Sequence, residues 1–197
     1  MSNPYWTTEG QSHQVSLDEI ELLCFWALNI VGASGVLPGQ IDLDDEDDAK
    51  ECRSSKLYQL SQRFSEARLL DHLLKIAILV RTFDDLLRSS ENKKEAYEKH
   101  RNAVGDNHYI GSLDESDLTI REACNKIIHA SELRAVYDRI DDRDDWWQLT
   151  SEVELKGLIG NSEWNAVLHV FEFLEGVLEL VSFDNPAQKT KRRKKSS

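Results

Sequence analysis

Cysteine is scarce here and odd in number: Cys24, Cys52 and Cys124 lie far apart, mostly among apolar residues at helical spacing. Such a set forms no disulfide framework and lacks the close spacing of a zinc site, so all three read as small core hydrophobes. Long apolar runs are absent too. None approaches the roughly 20 residues that span a bilayer, and the polar stretch from Met1 to Val15 has neither a basic leader nor an apolar segment behind it. The expectation is a cytoplasmic protein that engages no membrane. There is also no phosphate-cradling glycine loop, no nucleophile elbow and no internal repeat, which disfavours the common nucleotide-using and hydrolase classes.

What the chain has in excess is acid. Its formal net charge is −12, and it would be −18 without the six positive charges between Lys189 and Lys195. Duplex binding rests on lysine and arginine neutralising phosphates, so an acidic body argues against a broad duplex surface but leaves room for a local basic site. At 197 residues and 40% hydrophobic content, one main domain can bury a substantial core. The expected organisation is a flexible lead over residues 1–15, one helical domain over 16–183, and a disordered basic tail over 184–197. That tail could serve as a nuclear address or a nucleic-acid tether, or only keep the chain in solution.

The fold class expected is mainly α, a helical bundle with a small β-strand or hairpin element near residues 148–160. Ser16 and Glu19 form a capping signature ahead of an apolar helix from Leu17 to Val31, expected to be central. The acidic block Asp42 to Asp48 lacks the glycine and distal glutamate of a calcium loop, and reads as carboxylates that favour the start of the next helix. From Ser54 to Leu87 the spacing predicts one very long helix, or two with a break near Ser65. Within it Arg81, Asp84 and Asp85 read as an ion pair at the rim, and His72 stands between Arg68 and Lys75. A charged helix is expected from Asn92 to Val104, ended by Gly105. Tyr137 to Asp145 reads as acidic and irregular. Gln148 to Gly157 alternates like a strand that pairs with the segment Val136 to Trp147. Ser162 is expected to cap the last helix, with Trp164, Val167, Leu168 and Phe171 on its apolar face. The carboxylates Asp138, Asp141, Asp142, Asp144 and Asp145 have no histidines at ligand spacing, so neither a metal nor another cofactor is assigned.

The stretch Asp117 to Ala130 carries the polar constellation. Ile120, Cys124, Ile127 and Ile128 mark a buried helical stripe, and Thr119 with Glu122 makes a capping box. Arg121, Asn125 and His129 then form a second stripe beside the apolar one. One reading is structural, with each group satisfied by partners at the edge of the core. The other is metal-independent RNA cleavage. A histidine can move a proton at a 2′-hydroxyl or at the leaving oxygen, an arginine can stabilise charge on the phosphate, and an amide can orient either. One histidine does half of that work, so a second from a symmetry-related chain implies a homodimer.

The run Arg121-Glu-Ala-Cys-Asn125-Lys-Ile-Ile-His129-Ala resembles the signature helix of the HEPN superfamily (higher eukaryotes and prokaryotes nucleotide-binding domains). The resemblance implies a helical, frequently dimeric protein, and many members are ribonucleases in toxin, antiphage or RNA-processing systems. Their motif is an arginine, often a polar residue next, and a histidine after about four to six residues. Here seven residues intervene and Glu122 follows the arginine. The literal spacing occurs at Arg101-Asn-Ala-Val-Gly-Asp-Asn-His108, but Gly105 and Asp106 are expected to break the helix there. The site assigned is therefore His129 as general acid or base, Arg121 as phosphate stabiliser and Asn125 as orienting group. RNA is the substrate expected on this reading. The competing expectation is a catalytically silent acidic module that binds a basic protein partner.

Overall fold

The computed structural model describes residues 15–36, 38, 44–140 and 146–184. In chain order these form α1 (Leu17–Ala33), α2 (Glu46–Ser54), α3 (Lys56–Ser89), α4 (Lys94–Asn107), β1 (Gly111–Leu113), β2 (Ser116–Asp117), α5 (Ile120–His129), β3 (Glu132–Arg139), β4 (Trp147–Ile159), β5 (Ser162–His169) and α6 (Val170–Val181). The fold is mainly α with one antiparallel sheet, as the sequence leads one to expect. The lead up to residue 14, the tail beyond residue 184 and Asp141 to Asp145 lie outside the described residues.

With no glycine or proline to interrupt it, α3 continues unbroken through Ser65 for 34 residues. At 1.5 Å per residue it is about 51 Å long. Leu69, Leu73, Ile76, Ala77, Val80, Phe83 and Leu87 recur three and four apart on its buried face. Ile20, Leu23, Cys24, Ala27 and Val31 of α1 belong to the same core, as do Ala123, Cys124 and Ile127 of α5 and Phe173, Leu174 and Val177 of α6. All three cysteines are buried and free. α1 is narrower in its burial than its composition suggests, since Leu22, Phe25, Trp26 and Leu28 stay exposed. Its ends are fixed by serines. Ser16 Oγ accepts the Glu19 N–H at 3.2 Å. Ser34 donates to the Val31 carbonyl at 2.9 Å and accepts the Leu149 N–H at 3.1 Å, tying the helix to β4.

The sheet runs β2-β1-β5-β4-β3 with every neighbour antiparallel. The strand expected near 148–160 is β4, and it pairs with β3, which overlaps the expected partner segment Val136 to Trp147 only at its start. Glu132–Arg139 is thus strand rather than turn and irregular chain, because Leu133, Ala135 and Tyr137 alternate toward the core. Ser162 caps no helix. It opens β5, where Trp164, Ala166 and Leu168 point inward at period two, and α6 begins only at Val170. Trp164, Val167, Leu168 and Phe171 satisfy helical spacing as well, so periodicity alone misplaces that boundary.

Two contacts hold the sheet in position. Gly111 has φ of 141°, and a Cβ there would lie 2.0 Å from the Val167 carbonyl oxygen, so only glycine lets β1 reach β5. At the opposite edge, Glu66 of α3 accepts the Ala135 N–H at 3.0 Å and the Tyr137 hydroxyl at 3.3 Å, covering part of β3. No helix among the described residues is long and apolar enough to cross a membrane.

Candidate functional site: an arginine-lined cavity

α4 departs from the sequence expectation where it matters most. It runs through Gly105 and Asp106 to Asn107, with His108 as its C-terminal cap. One glycine costs a helix about 1 kcal/mol, and the packing of Tyr97 and Val104, both fully buried, offsets it. Arg101, Asn102 and His108 consequently line one cavity of about 790 Å³, together with Arg81, Asp84 and Arg88 of α3 and Arg121 of α5.

The floor of that cavity is built around Asp84, whose side chain is only 4% exposed. Asp84 accepts a hydrogen bond from Tyr97 Oη at 3.0 Å and one from Arg121 Nη1. The guanidinium groups of Arg81 and Arg101 stand 3.7 and 3.8 Å from it. Asp85 accepts from Arg81 Nη1 and from Arg121 Nη2, each at 2.9 Å. Three arginines thus face two carboxylates on this floor and Arg88 joins them in the wall, but the acids elsewhere in the lining bring the four arginines close to charge balance. Asp106, Asp117 and Glu122 line the same cavity, Glu122 being engaged in the capping box of α5. Burial, then the charge of Asp84 and its hydrogen bond, drive the Tyr97 hydroxyl well above its usual pKa, so it stays a donor. Burial pushes the Cys124 thiol up as well, which removes it as a nucleophile.

His108 lies between two carboxylates of α6. Its Nδ1 is 3.2 Å from Glu172 Oε2 and its Nε2 is 2.9 Å from Glu179 Oε2. Burial alone would lower the ring's pKa, but the bonds to Glu179 and Glu172 outweigh it and raise the pKa above the usual imidazole value. Both nitrogens then face acceptors, the arrangement that favours imidazolium.

The three residues assigned from sequence separate. Arg121 lines the cavity. Asn125 lies behind the wall and accepts from Arg81 Nε at 2.8 Å, so it positions an arginine. His129 is exposed at the far end of α5. Eight residues of helix put it about 12 Å along the axis from Arg121, and it lines no part of the cavity. Arg81 does pair with Asp84 and Asp85 as expected, but Asp84 is buried under the cavity rather than at a rim. His72 keeps a buried Nδ1 with no hydrogen-bond partner among the described residues, and burial lowers its pKa. The carboxylate of Asp45 caps α2 by accepting from Asp47 and Asp48 N–H, the role foreseen for the acidic block. Among the described residues no group of three His, Cys, Asp or Glu could hold a metal ion.

What the sequence reading missed was therefore Arg101, Asn102 and His108. Their spacing is present in the sequence, but Gly105 signals a helix end there that the packing of Tyr97 and Val104 overrides. Comparison with protein-family models, curated proteins and solved structures finds no match for this chain.

Proposed function

We propose that the chain is an HEPN-like, metal-independent endoribonuclease working from the arginine-lined cavity. The observation that supports it is that Arg101, Asn102 and His108, which have the arginine-to-histidine spacing of that superfamily, line one cavity with Arg121. Arg88, Arg101 and Arg121 bind the scissile phosphate and stabilise the charge that grows on it. The 2′-oxygen attacks phosphorus, the bond to the 5′-oxygen breaks, and His108 as imidazolium gives its proton to that leaving oxygen. The 2′-hydroxyl proton passes to a carboxylate, Glu172 beside a second His108 across a twofold axis, so the reading carries a homodimer. The products are a 2′,3′-cyclic phosphate and a free 5′-hydroxyl.

The test is cleavage of a labelled RNA by parent and variants purified in parallel. His108→Ala should reduce the rate by about 10²- to 10⁴-fold, the range for loss of a general acid, whereas His129→Ala should leave it intact. Equal activity of the His108→Ala protein refutes the assignment, and loss of activity on His129→Ala alone returns the site to α5. The second reading, a silent module with a protein partner, draws on the exposed Leu22, Phe25 and Trp26 of α1. It predicts a protein that binds without cleaving.

A further inference from the structure

A second, shallower cavity of about 590 Å³ adjoins the first, and Asn107 and Tyr109 belong to the walls of both. Its other lining residues are Ser151, His169, Phe171 and Glu172. Three of these six are ring side chains turned outward. Tyr109 is 52% exposed and Phe171 39%, and the Tyr109 and His169 rings sit 5.3 Å apart, tilted by 41°. The rings are held from below. The Ile110 carbonyl accepts the His169 N–H at 2.9 Å, which fixes the chain just after Tyr109 against the end of β5. Carboxylates do face this surface, but each has a histidine beside it: Glu172 is bonded to His108, and Glu152 lies 3.5 Å from His169 Nδ1.

We propose that this second cavity is a stacking platform for an unpaired base of single-stranded RNA, next to the nucleotide whose phosphate lies on the arginines. The inference rests on the ribonuclease reading and names its substrate class. An aromatic face can receive only a base whose own face is free, and a duplex stacks both faces of every internal base. A ring-lined surface continuous with an arginine-lined cavity is what a single strand meets in proteins that hold the backbone by charge and the bases by stacking. Asn107 and Ser151 supply hydrogen-bonding groups at the margin of the rings, where base edges would lie. The platform also explains how a chain of net charge −12 would take up RNA. Much of the contact is uncharged, so the arginines need not carry binding alone.

The probe is a fluorescein-labelled 2′-O-methyl RNA, which lacks the attacking hydroxyl and survives the measurement, offered single-stranded or annealed to its complement. By fluorescence anisotropy the parent should prefer the single strand. Tyr109→Ala should weaken that binding roughly ten-fold, the effect of losing one stacked base, and Tyr109→Phe should restore it. The salt dependence should stay unchanged in Tyr109→Ala and become shallower in Arg101→Ala. Equal binding of single strand and duplex, or parental affinity in both Tyr109→Ala and Phe171→Ala, overturns the platform. If that happens while His108→Ala still abolishes cleavage, the platform alone has failed. If the parent binds neither probe and cleaves nothing, the ribonuclease reading has failed with it.

Discussion

Replacing Asp84 with asparagine removes one negative charge from beneath three guanidinium groups while keeping the side chain's shape. The carboxylate is 4% exposed, accepts from Tyr97 and Arg121, and has Arg81 and Arg101 within 4 Å. Asparagine can still accept from Tyr97, but its NH₂ then faces guanidinium N–H groups, donor against donor. Removing one partner of a buried pair costs about 3 to 5 kcal/mol. The arginines keep 25–28% of their side-chain surface in water and can swing outward, so the lower end applies, about 3 kcal/mol. With a urea dependence of roughly 2 kcal/mol per molar, the unfolding midpoint should fall by about 1.5 M. Urea unfolding followed by circular dichroism measures it. Because Asp84 and Arg121 touch, Asp84→Asn with Arg121→Met should cost about 1 to 2 kcal/mol less than the two single costs added. A loss below about 1 kcal/mol for Asp84→Asn, or additivity within about 0.5 kcal/mol, would refute the view that Asp84 organises the cavity floor.

The pKa of His108 is raised in the folded protein, so its contacts add stability that is full below the unfolded value, near 6.5, and fades as pH rises through the folded value. An NMR titration of the ring should show the midpoint dropping in Glu172→Gln and again in Glu179→Gln, and a constant midpoint contradicts the arrangement. Thr119→Ala removes the side-chain half of the α5 capping box, leaving only the bond from the residue-119 N–H to Glu122, and should cost about 1 kcal/mol in chemical unfolding, whereas Thr119→Ser should be nearly neutral. Gly111→Val places a side chain against the Val167 carbonyl at a φ that L residues avoid, and should destabilise by about 3 kcal/mol or more by thermal melting. Glu66→Ala leaves the Ala135 N–H unpaired at the sheet edge. It should lose about 1 to 2 kcal/mol and scatter light sooner on heating.

The helices with clear periodicity and caps were legible in the sequence. Leu17 to Val31, Ser54 to Leu87 and the box at Thr119 lead directly to α1, α3 and α5, because burying an apolar stripe is a local pattern with a local stop signal. β5 was not legible, since Trp164, Val167, Leu168 and Phe171 fit a period of 3.6 while Trp164, Ala166 and Leu168 fit a period of two. What decides between them is pairing with β4 and β1, which lies far away in sequence. The cavity failed for a different reason. Gly105 is a genuine helix-weakening signal, but the burial of Tyr97 and Val104 that overrides it is tertiary. Arg121, which lines the cavity, shares a helical stripe with Asn125 and so stands out in the sequence. That Asp84 lies under Arg121, and Glu172 and Glu179 beside His108, depends on helices α3 and α6 meeting α4 and α5, which no spacing rule conveys.

His108 is followed at once by fixed points. Two residues on, the Ile110 carbonyl holds the His169 N–H, and three residues on, the Gly111 carbonyl holds the Leu118 N–H, each at 2.9 Å. The chain between the end of α4 and β1 therefore has no slack. One added residue would either turn the imidazole away from Glu172 and Glu179 or lift β1 from β5, so in this connection length itself is under constraint. Substitutions can drift along it, but insertions and deletions cannot.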